Sequence, residues 1–538
     1  MWSDTVTVRL SDYEKNLRAC PLFYDVTEEL QKEPVDTVNL LKDSLQNPGW
    51  MHGDTKPSPA EQSRTIRNIC DYVVSPALHG YVLWVLRRAL EKGISRLYFL
   101  ARDGYFMYRT ADCLCRQLSL PVECRYLYCS RYSLRIPLFH LYPDEALEYI
   151  CRGGIDVTLR KVLNRTGIAE SEQNRVLDTL RCSEFGESLL DCAAGQARTQ
   201  QLNQEAGEQD FADIVIPYAM LARLRGDLKQ DSFFMECLTQ HSAAAFPALS
   251  GYFRQEGLLD ELPMAVVDSG WVGSMQKVMN QLLKTFGKQR ELLTGFYWGL
   301  YELPDGVDAN DYECYYFSPE KNLREKVYFS NCLFEGIFSA PHGMTLRYQE
   351  RAGRYEPVLA EQDDTNVRFM EMIRARTGDW TDILVRHMVQ DVDLSANDSE
   401  PRADGRMPKA PIGTMADSMG ERAVIRNQLF LFMGQPTPPE AYVFGSLPFS
   451  DDVLEYGGQM AAPMSEEELC ANHAGPKILS MLGIRHQPLK ESAWYEASAV
   501  MGGRRVKRHL RRYAGYKYLL YMNKTRNYRR QRKAAGYR

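Results

Sequence analysis

The segment from Ala265 to Gln276 constrains the fold of this 538-residue chain more than any other. An apolar run ends at Asp268, glycines follow at Gly270 and Gly273, and a helical pattern begins after Ser274. A buried strand, a glycine turn and a helix start together present backbone N–H groups that bind phosphate. We therefore expect Asp268 at the carboxyl end of a strand, with the glycines and Ser274 around an anionic ligand. The alternative is an ordinary strand-to-helix turn in which Asp268 only caps the helix.

A second unit of the same kind lies upstream, with a strand at 95–101, a charged turn at 102–104 and a helix at 105–118. Arg102 offers a fork of donors to diphosphate oxygens, and Gly104 permits the turn. Asp103 would orient Arg102 or bind a metal ion, whereas the alternative is an Arg–Asp pair that only holds the loop. Ligands of open parallel sheets bind where the carboxyl ends of the strands meet, so each turn makes the other more credible as a site.

A third strand, expected at 123–129, is followed directly by Ser130 and Arg131. Arg131 would add positive charge for an anionic substrate, and a surface arginine is the alternative. Ser130 and Ser269 would supply hydroxyl groups to the same substrate.

These patterns predict an α/β protein with a parallel sheet, a helical insertion and an α-rich C-terminal region. We expect an irregular N-terminal arm over 1–60, and a core formed by 61–135 and 246–350 around an insertion over 136–245. A C-terminal region over 351–500, with a flexible loop at 395–418, precedes a basic aromatic tail over 501–538.

Composition restricts the class of protein. Hydrophobic residues make up 44% and charged residues 25% of the chain, as in ordinary globular proteins. We see neither an uninterrupted apolar run of membrane-spanning length nor a signal peptide, and we expect a cytoplasmic protein. The 13 cysteines are scattered without the pair spacing of zinc or redox sites, which favours reduced thiols.

The C-terminal tail is strongly basic, because residues 504–538 contain 14 Lys/Arg and no Asp/Glu. Interleaved tyrosines and leucines are typical of segments that bind an anionic membrane surface. The alternatives are a solvated disordered end or, less favoured, a nucleic-acid-binding segment.

Hydrolase motifs do not fit. The sequence has no Gly-x-Ser-x-Gly, His-Glu-x-x-His or Walker A motif. The second aspartate of haloacid-dehalogenase phosphatases is also missing after Asp268. His342, in a Pro-His-Gly loop, is a candidate general base or, as its alternative, a structural histidine.

With these residues named, a resemblance is apparent. Residues from about 71 to 348 resemble the region that follows the phosphatase domain in bacterial fusion proteins of the haloacid-dehalogenase superfamily, encoded among cell-surface polysaccharide genes. The matching pieces are GYVLW at 80–84, LYFLARDGY at 97–105, YCSR at 128–131, VDSGWVGSMQ at 267–276 and GFYWG at 295–299. We expect a stand-alone version of this region, without the phosphatase domain.

The sheet motifs are also similar to those of phosphoribosyltransferases. By that resemblance Arg102, Asp103 and Gly104 would contact diphosphate and Mg²⁺, and Asp268 would hold ribose hydroxyls and share the metal. The loop with Ser269, Gly270, Gly273 and Ser274 would hold the 5-phosphate. The family usually has two adjacent acids at this loop, whereas here Ser269 follows Asp268.

The resemblance implies a glycosyltransferase or phosphoribosyltransferase of cell-surface polysaccharide synthesis. Its donor would be a diphosphate-activated sugar, with phosphoribosyl diphosphate favoured, and its acceptor a glycan or lipid-linked glycan. A separate phosphatase would act with it, at the inner face of the plasma membrane. The alternatives are a nucleotide-sugar glycosyltransferase, a non-catalytic assembly protein at the membrane and a haloacid-dehalogenase-like hydrolase.

Overall fold

A computed structural model describes residues 2–32, 57–154, 157–199, 210–361, 364–396, 419–449, 458–481 and 490–534. Its helices, named α1 to α22 in chain order, are Trp2–Leu17, Pro21–Lys32, Pro59–Ile69, Ser75–Lys92, Gly104–Gln117, Arg131–Arg135, Pro143–Ile150, Leu159–Asn164, Glu170–Arg181, Glu184–Thr199, Leu221–Gln230, Ser232–Gln255, Ser274–Thr285, Leu323–Val327, Asn331–Phe338, Asp364–Ala396, Met419–Leu429, Pro438–Gly445, Glu466–Ala471, Ala474–Met481, Tyr495–Gly502 and Val506–Ala534. The strands, β1 to β7, are Arg96–Leu100, Glu123–Leu127, Met264–Trp271, Thr294–Leu300, Tyr312–Phe317, Thr345–Arg351 and Arg354–Leu359.

The core is a five-stranded parallel sheet with the strand order β2-β1-β3-β4-β5. The chain leaves β1 for β2 on one side and later returns to β3 on the other side. This order creates a topological switch point between β1 and β3, where open α/β sheets bind their ligands. The predicted α/β class and parallel sheet are confirmed. The strands β6 and β7 form a separate antiparallel hairpin.

Helices cover both faces of the sheet. On one face α4 packs against sheet residues such as Phe99 and Trp298. On the other face α12 and α13 pack against residues such as Tyr98 and Val266. Both faces of β1 are therefore buried, which explains its continuous apolar sequence. The Pro59–Lys92 helical run is long and apolar enough to cross a membrane, but its apolar window is entirely buried inside the fold.

The region expected as a helical insertion has its own apolar core, which includes Leu147, Val162 and Leu224. Its expected end at residue 245 lies inside α12, a helix that continues from this core onto the sheet. A single helix thus joins the two units.

At the N-terminal end of the chain the expectation needs correction, and at the C-terminal end the alternative of a solvated disordered tail is excluded for residues 506–534. Residues 2–32, expected as an irregular arm, form α1 and α2, and both helices bury apolar side chains such as Tyr13 and Phe23. The basic tail is a long helix, α22, that packs on the body. Tyr513 stacks on Tyr495 with 3.9 Å between ring centroids. Nearly all of the flexible loop expected at 395–418 lies outside the described residues.

Candidate active site at the switch point

The carboxyl ends of β1 and β3 form the floor of the site. The two strands pair only as far as Phe99 and Val267, and β3 then continues beside β4 to Trp271. The expected strand end at Asp268 is therefore three residues too early. From Asp268 onward β3 pairs with β4 alone, so its other edge is open toward the turn that follows β1.

Helix α4 supports this edge from below. The hydroxyl of Tyr81, which is buried, donates to the carbonyl oxygen of Asp268 at 3.1 Å and to that of Phe296 at 2.8 Å. These bonds tie β3 and β4 to the same helix side chain. The backbone that presents Asp268 is therefore held from the core.

The two predicted turns meet through a direct contact. The Ser269 hydroxyl donates a hydrogen bond to the carboxylate of Asp103. The side chains of Asp103 and Asp268 are half-buried. They are close enough together for the charge of Asp103 to raise the pKa of Asp268. The structure thus brings together the catalytic and metal-binding candidates of the two turns.

A third carboxylate joins them from α15. Glu335 accepts a hydrogen bond from the indole N–H of Trp271 at the end of β3. Burial and the neighbouring Asp103 raise the pKa of Asp268 to about 7 and that of Glu335 to about 7. Burial also raises the pKa of Asp103, against the opposing effects of Ser269, Arg102 and Arg131. Buried acids that repel one another are typical of sites that bind a cation or move a proton.

Arginines surround the carboxylates without neutralising them directly. Among the described residues, Arg102, Arg131 and Arg152 make no ion pair within 4.0 Å of a carboxylate. Arg131 is exposed to solvent. Burial and the charge of Arg131 lower the pKa of Arg152. These closely spaced cations favour an anionic ligand between them.

The substrate-binding candidates have unequal roles. Ser130 caps α6 and donates to the carbonyl oxygen of Thr345 at 2.6 Å, so its hydroxyl is already used. Ser274 is the first residue of α13, and Gly273, at φ 68°, caps that helix start. The predicted phosphate-binding helix start is therefore in place next to Asp268.

The glycines serve the protein packing as well as any ligand. A Cβ at Gly270, which has φ 108°, would lie 2.5 Å from the carbonyl oxygen of Gly299. A Cβ at Gly104 would lie 3.0 Å from the backbone of Phe99. The absence of a side chain at these positions is required by the neighbouring strands. Whether the glycines also contact a ligand stays a prediction.

His342 is fully engaged in hydrogen bonds. Its Nε2 lies 2.8 Å from the Tyr126 hydroxyl, and its Nδ1 lies 2.8 Å from the carbonyl oxygen of Gly343. A carbonyl can only accept, so Nδ1 carries the proton and Nε2 accepts from Tyr126. Both ring nitrogens are satisfied, which favours the structural role over the general base.

An aromatic box next to the site encloses the ammonium group of Lys326. The rings lie 4.9 to 5.7 Å from Nζ and belong to Trp271, Tyr301, Phe317, Phe329 and Tyr521. Burial and the charge of Lys517 lower the pKa of Lys326. Because Tyr521 comes from α22, the C-terminal helix completes the surroundings of the site.

The three carboxylates would hold Mg²⁺ only together with water or substrate ligands, because they do not enclose an ion by themselves. Among the described residues, the one group of three or more possible ligands within 4.8 Å of one another lies elsewhere, at Cys470, His473 and His509. Asp103, Asp268 and Glu335 thus do not form a closed cage. Mg²⁺ usually keeps several waters and binds one or two carboxylates together with substrate phosphates. The mutual repulsion of these acids and the adjacent arginines fit such a Mg²⁺–diphosphate pair.

The sequence pattern at 334–343 predicts an aromatic and glycine-rich loop that borders a site, whereas 334–338 is the end of α15. That prediction gives Glu335 no role, and Arg152 was missed. Glu335 is the only acid in the apolar helix Asn331–Phe338, and a lone carboxylate in such a helix is a usable signal. Arg152 has no comparable signal, because the insertion brings it to the site through its tertiary fold.

No protein-family model matches this chain, and no curated protein sequence is significantly similar to it. Arguments about its function therefore start from the side chains of the site.

Proposed function

We propose that the protein transfers a sugar from a diphosphate-activated donor to a glycan hydroxyl. The observation that carries the proposal is the meeting of the turn after β1 with the last part of β3, joined by the bond from Ser269 to Asp103. Two carboxylates and a helix start lie together there, beside a third acid and several arginines. Sugar diphosphates require this combination, since they carry both a polyanion and hydroxyl groups.

In the proposed complex Arg102 and Arg131 bind the diphosphate oxygens. Guanidinium forks match these oxygens and stay charged at every physiological pH. Asp103 would hold Mg²⁺, which neutralises charge on the leaving diphosphate when bound. Asp268 would accept hydrogen bonds from sugar hydroxyls, and the N–H groups at Ser274 would hold a terminal phosphate.

The transfer step exchanges one carbon–oxygen bond for another. The acceptor hydroxyl oxygen bonds to the anomeric carbon as the bond from that carbon to the diphosphate breaks, and diphosphate leaves with the bonding electrons. The acceptor proton passes to Glu335, which we propose as the general base. Its pKa of about 7 lies near the working pH, where a general base is most efficient.

Phosphoribosyl diphosphate is the favoured donor. The order of the motifs, a basic turn after one strand and an acidic glycine-containing loop after a neighbouring strand, is similar to that of phosphoribosyltransferases. The helix start at Ser274 lies beside Asp268, which suits a sugar with hydroxyls close to a phosphate. A nucleotide sugar would need an additional pocket for its base.

Isothermal titration calorimetry with phosphoribosyl diphosphate, with and without Mg²⁺, tests the proposal. UDP- and GDP-sugars are titrated in parallel. We expect Mg²⁺-dependent binding of the first ligand, lost in Asp103→Asn and Asp268→Asn and retained in Asp305→Asn. Asp305 is an exposed acid in the loop after β4 and serves as the matched control. If only nucleotide sugars bind, the donor is a nucleotide sugar and not phosphoribosyl diphosphate. If neither class of ligand binds, the proposal is refuted.

We also propose that the enzyme works at the inner membrane surface on a lipid-linked acceptor, with a separate phosphatase acting on the product. The outward face of α22 carries Arg511, Arg512 and Arg526, and Tyr518 and Leu519 on the same helix are 49% and 46% exposed. Exposed apolar side chains among arginines suit an anionic lipid surface.

Co-sedimentation with vesicles tests this location. We expect binding to vesicles with anionic lipid and little binding to neutral ones. Tyr518→Ser combined with Leu519→Ser should weaken the binding several-fold. Equal binding of the variant and the wild type would contradict the proposed surface.

A further inference from the structure

A cluster of metal-ligating side chains lies at the start of the C-terminal helix. It consists of Cys470 and His473, at and just beyond the end of α19, and His509 in the first turns of α22. One ligand atom from each lies within 4.8 Å of the others. His473 and His509 are 5% and 0% exposed, and Cys470 is half-buried.

The spacing of the two histidines matches a tetrahedral site. His473 Nε2 and His509 Nδ1 are 3.1 Å apart. Two nitrogens bound tetrahedrally to one Zn²⁺ are separated by about 3.3 Å, given Zn–N bonds of about 2.0–2.1 Å. The Cys470 sulfur lies within 4.8 Å of a ligand nitrogen of each histidine, and closing such a site would bring it to about 3.6 Å from each.

The second ring nitrogen of His509 is also oriented as in metal sites. His509 Nε2 lies 3.2 Å from a carboxylate oxygen of Glu466. This carboxylate accepts the Nε2–H proton, which leaves the Nδ1 lone pair directed toward His473. Metal-bound histidines usually donate their other N–H to a carboxylate in this way.

We propose that Cys470, His473 and His509 bind a Zn²⁺ ion, with a water molecule as the fourth ligand. A thiolate and two imidazoles select Zn²⁺ over Mg²⁺, which prefers oxygen ligands. The thiol proton is released to solvent on binding. The arginines near this cluster, Arg508 and Arg512, are opposed by the negative charges of the thiolate and Glu466.

The ion would link α19 to α22 and so fix the helix that completes the aromatic box around Lys326. It lies outside the proposed catalytic site, and its ligands have no part in sugar transfer. Its proposed effect is on the position of α22.

Metal content and metal titration of the full-length protein test the proposal. We expect one Zn²⁺ per chain after growth with zinc, and one equivalent of Co²⁺ taken up by the stripped protein with the absorption bands of a thiolate-bound tetrahedral ion. Cys470→Ser should abolish the thiolate band, and His509→Gln should weaken Zn²⁺ binding at least tenfold. Cys182→Ser, at an exposed cysteine, is the control and should change neither.

Hydrogen exchange separates a metal site from a plain histidine pair and does not depend on the folding of a variant. Removing zinc from the wild type should speed exchange in the first turns of α22 at least tenfold and leave β1 and β3 unchanged. The proposal is overturned if the stripped wild-type protein takes up no stoichiometric Zn²⁺ or Co²⁺. It is also overturned if folded Cys470→Ser and His509→Gln bind both ions as the wild type does.

Discussion

Replacing Asp268 by Asn should stabilise the metal-free protein, and increasingly so as the pH rises. Asp268 is crowded by Asp103 and Glu335 in a partly buried site, and its pKa is raised from 3.8 to about 7. A carboxyl whose pKa is higher in the folded state stabilises the fold below pH 4. That contribution is lost as the pH rises to about 7. The neutral amide of the variant does not undergo this loss.

The size of the effect follows from the shift. A change of one pKa unit corresponds to about 1.4 kcal/mol, so full ionisation of Asp268 costs the wild type up to about 4 kcal/mol. For a chain of 538 residues that unfolds as one unit, this free energy corresponds to about 4 °C in Tm. A smaller cooperative unit would give a larger change.

Thermal melts at pH 5 and pH 8 in the presence of a chelator measure the difference. We expect the Tm of Asp268→Asn relative to wild type to rise by about 2–3 °C between the two pH values, because part of the loss has already occurred at pH 5. Mg²⁺ with phosphoribosyl diphosphate should remove the difference by stabilising only the wild type. Asp305→Asn should show no pH-dependent gain. If Asp268→Asn lowers Tm equally at both pH values, Asp268 has a structural role and the argument for a strained acidic site fails.

Two further substitutions test the fold beneath the site. Asp71→Asn breaks a buried ion pair with Arg376, whose Nε lies 2.6 Å from the carboxylate, and should cost about 3–5 kcal/mol in urea unfolding. Loss of the exposed ion pair of Asp144 in Asp144→Asn should cost at most about 1 kcal/mol, and equal costs would refute the distinction. Gly270→Ala should destabilise more than Gly306→Ala in the same assay, because both have positive φ but only the first Cβ meets a neighbouring strand. Equal losses of stability in the two variants would show that the positive φ, and not the contact of the Cβ with a neighbouring strand, determines the cost.

The local elements of the core were predictable because their signals are local. Helix α4 ends at Gly93, which has φ 66°, and Thr437 caps α18 as part of a capping box, and both are local signals. Strand β1 and helix α5 lie within about one residue of their predicted limits. Apolar runs and capping residues act over a few positions, so a single sequence is enough to place them.

The parts that were missed depend on contacts between distant segments. Helices α1 and α2 were missed, although in α2 the buried residues Phe23, Val26 and Leu30 recur at helical spacing and are a local signal. Their stability comes from packing against later helices, as when Tyr13 donates to Glu440 at 2.7 Å. The sequence prediction considered pairs of cysteines with metal-site spacing. The possible metal ligands are instead a Cys-x-x-His pair, Cys470 and His473, and a histidine 36 residues later, His509. Such pairings become visible only when tertiary structure joins the segments.

Contacts between distant segments also explain why the site contains more residues than the two sequence motifs. The turn after β1 and the last part of β3 are 166 residues apart at their hydrogen-bonded pair, Asp103 and Ser269. The sheet order makes them neighbours, and the intervening helices add Arg152 to the positive side of the site. Glu335 then comes from a helix beyond the last strand of the sheet, and α22 closes the box around Lys326. The proposed catalysis would require charges held by several rigid elements, because a single flexible loop would let them relax apart. The C-terminal helix therefore belongs to the proposed site as much as to the surface, and loosening it should alter the site even though it contributes none of the charges proposed to act on the substrate.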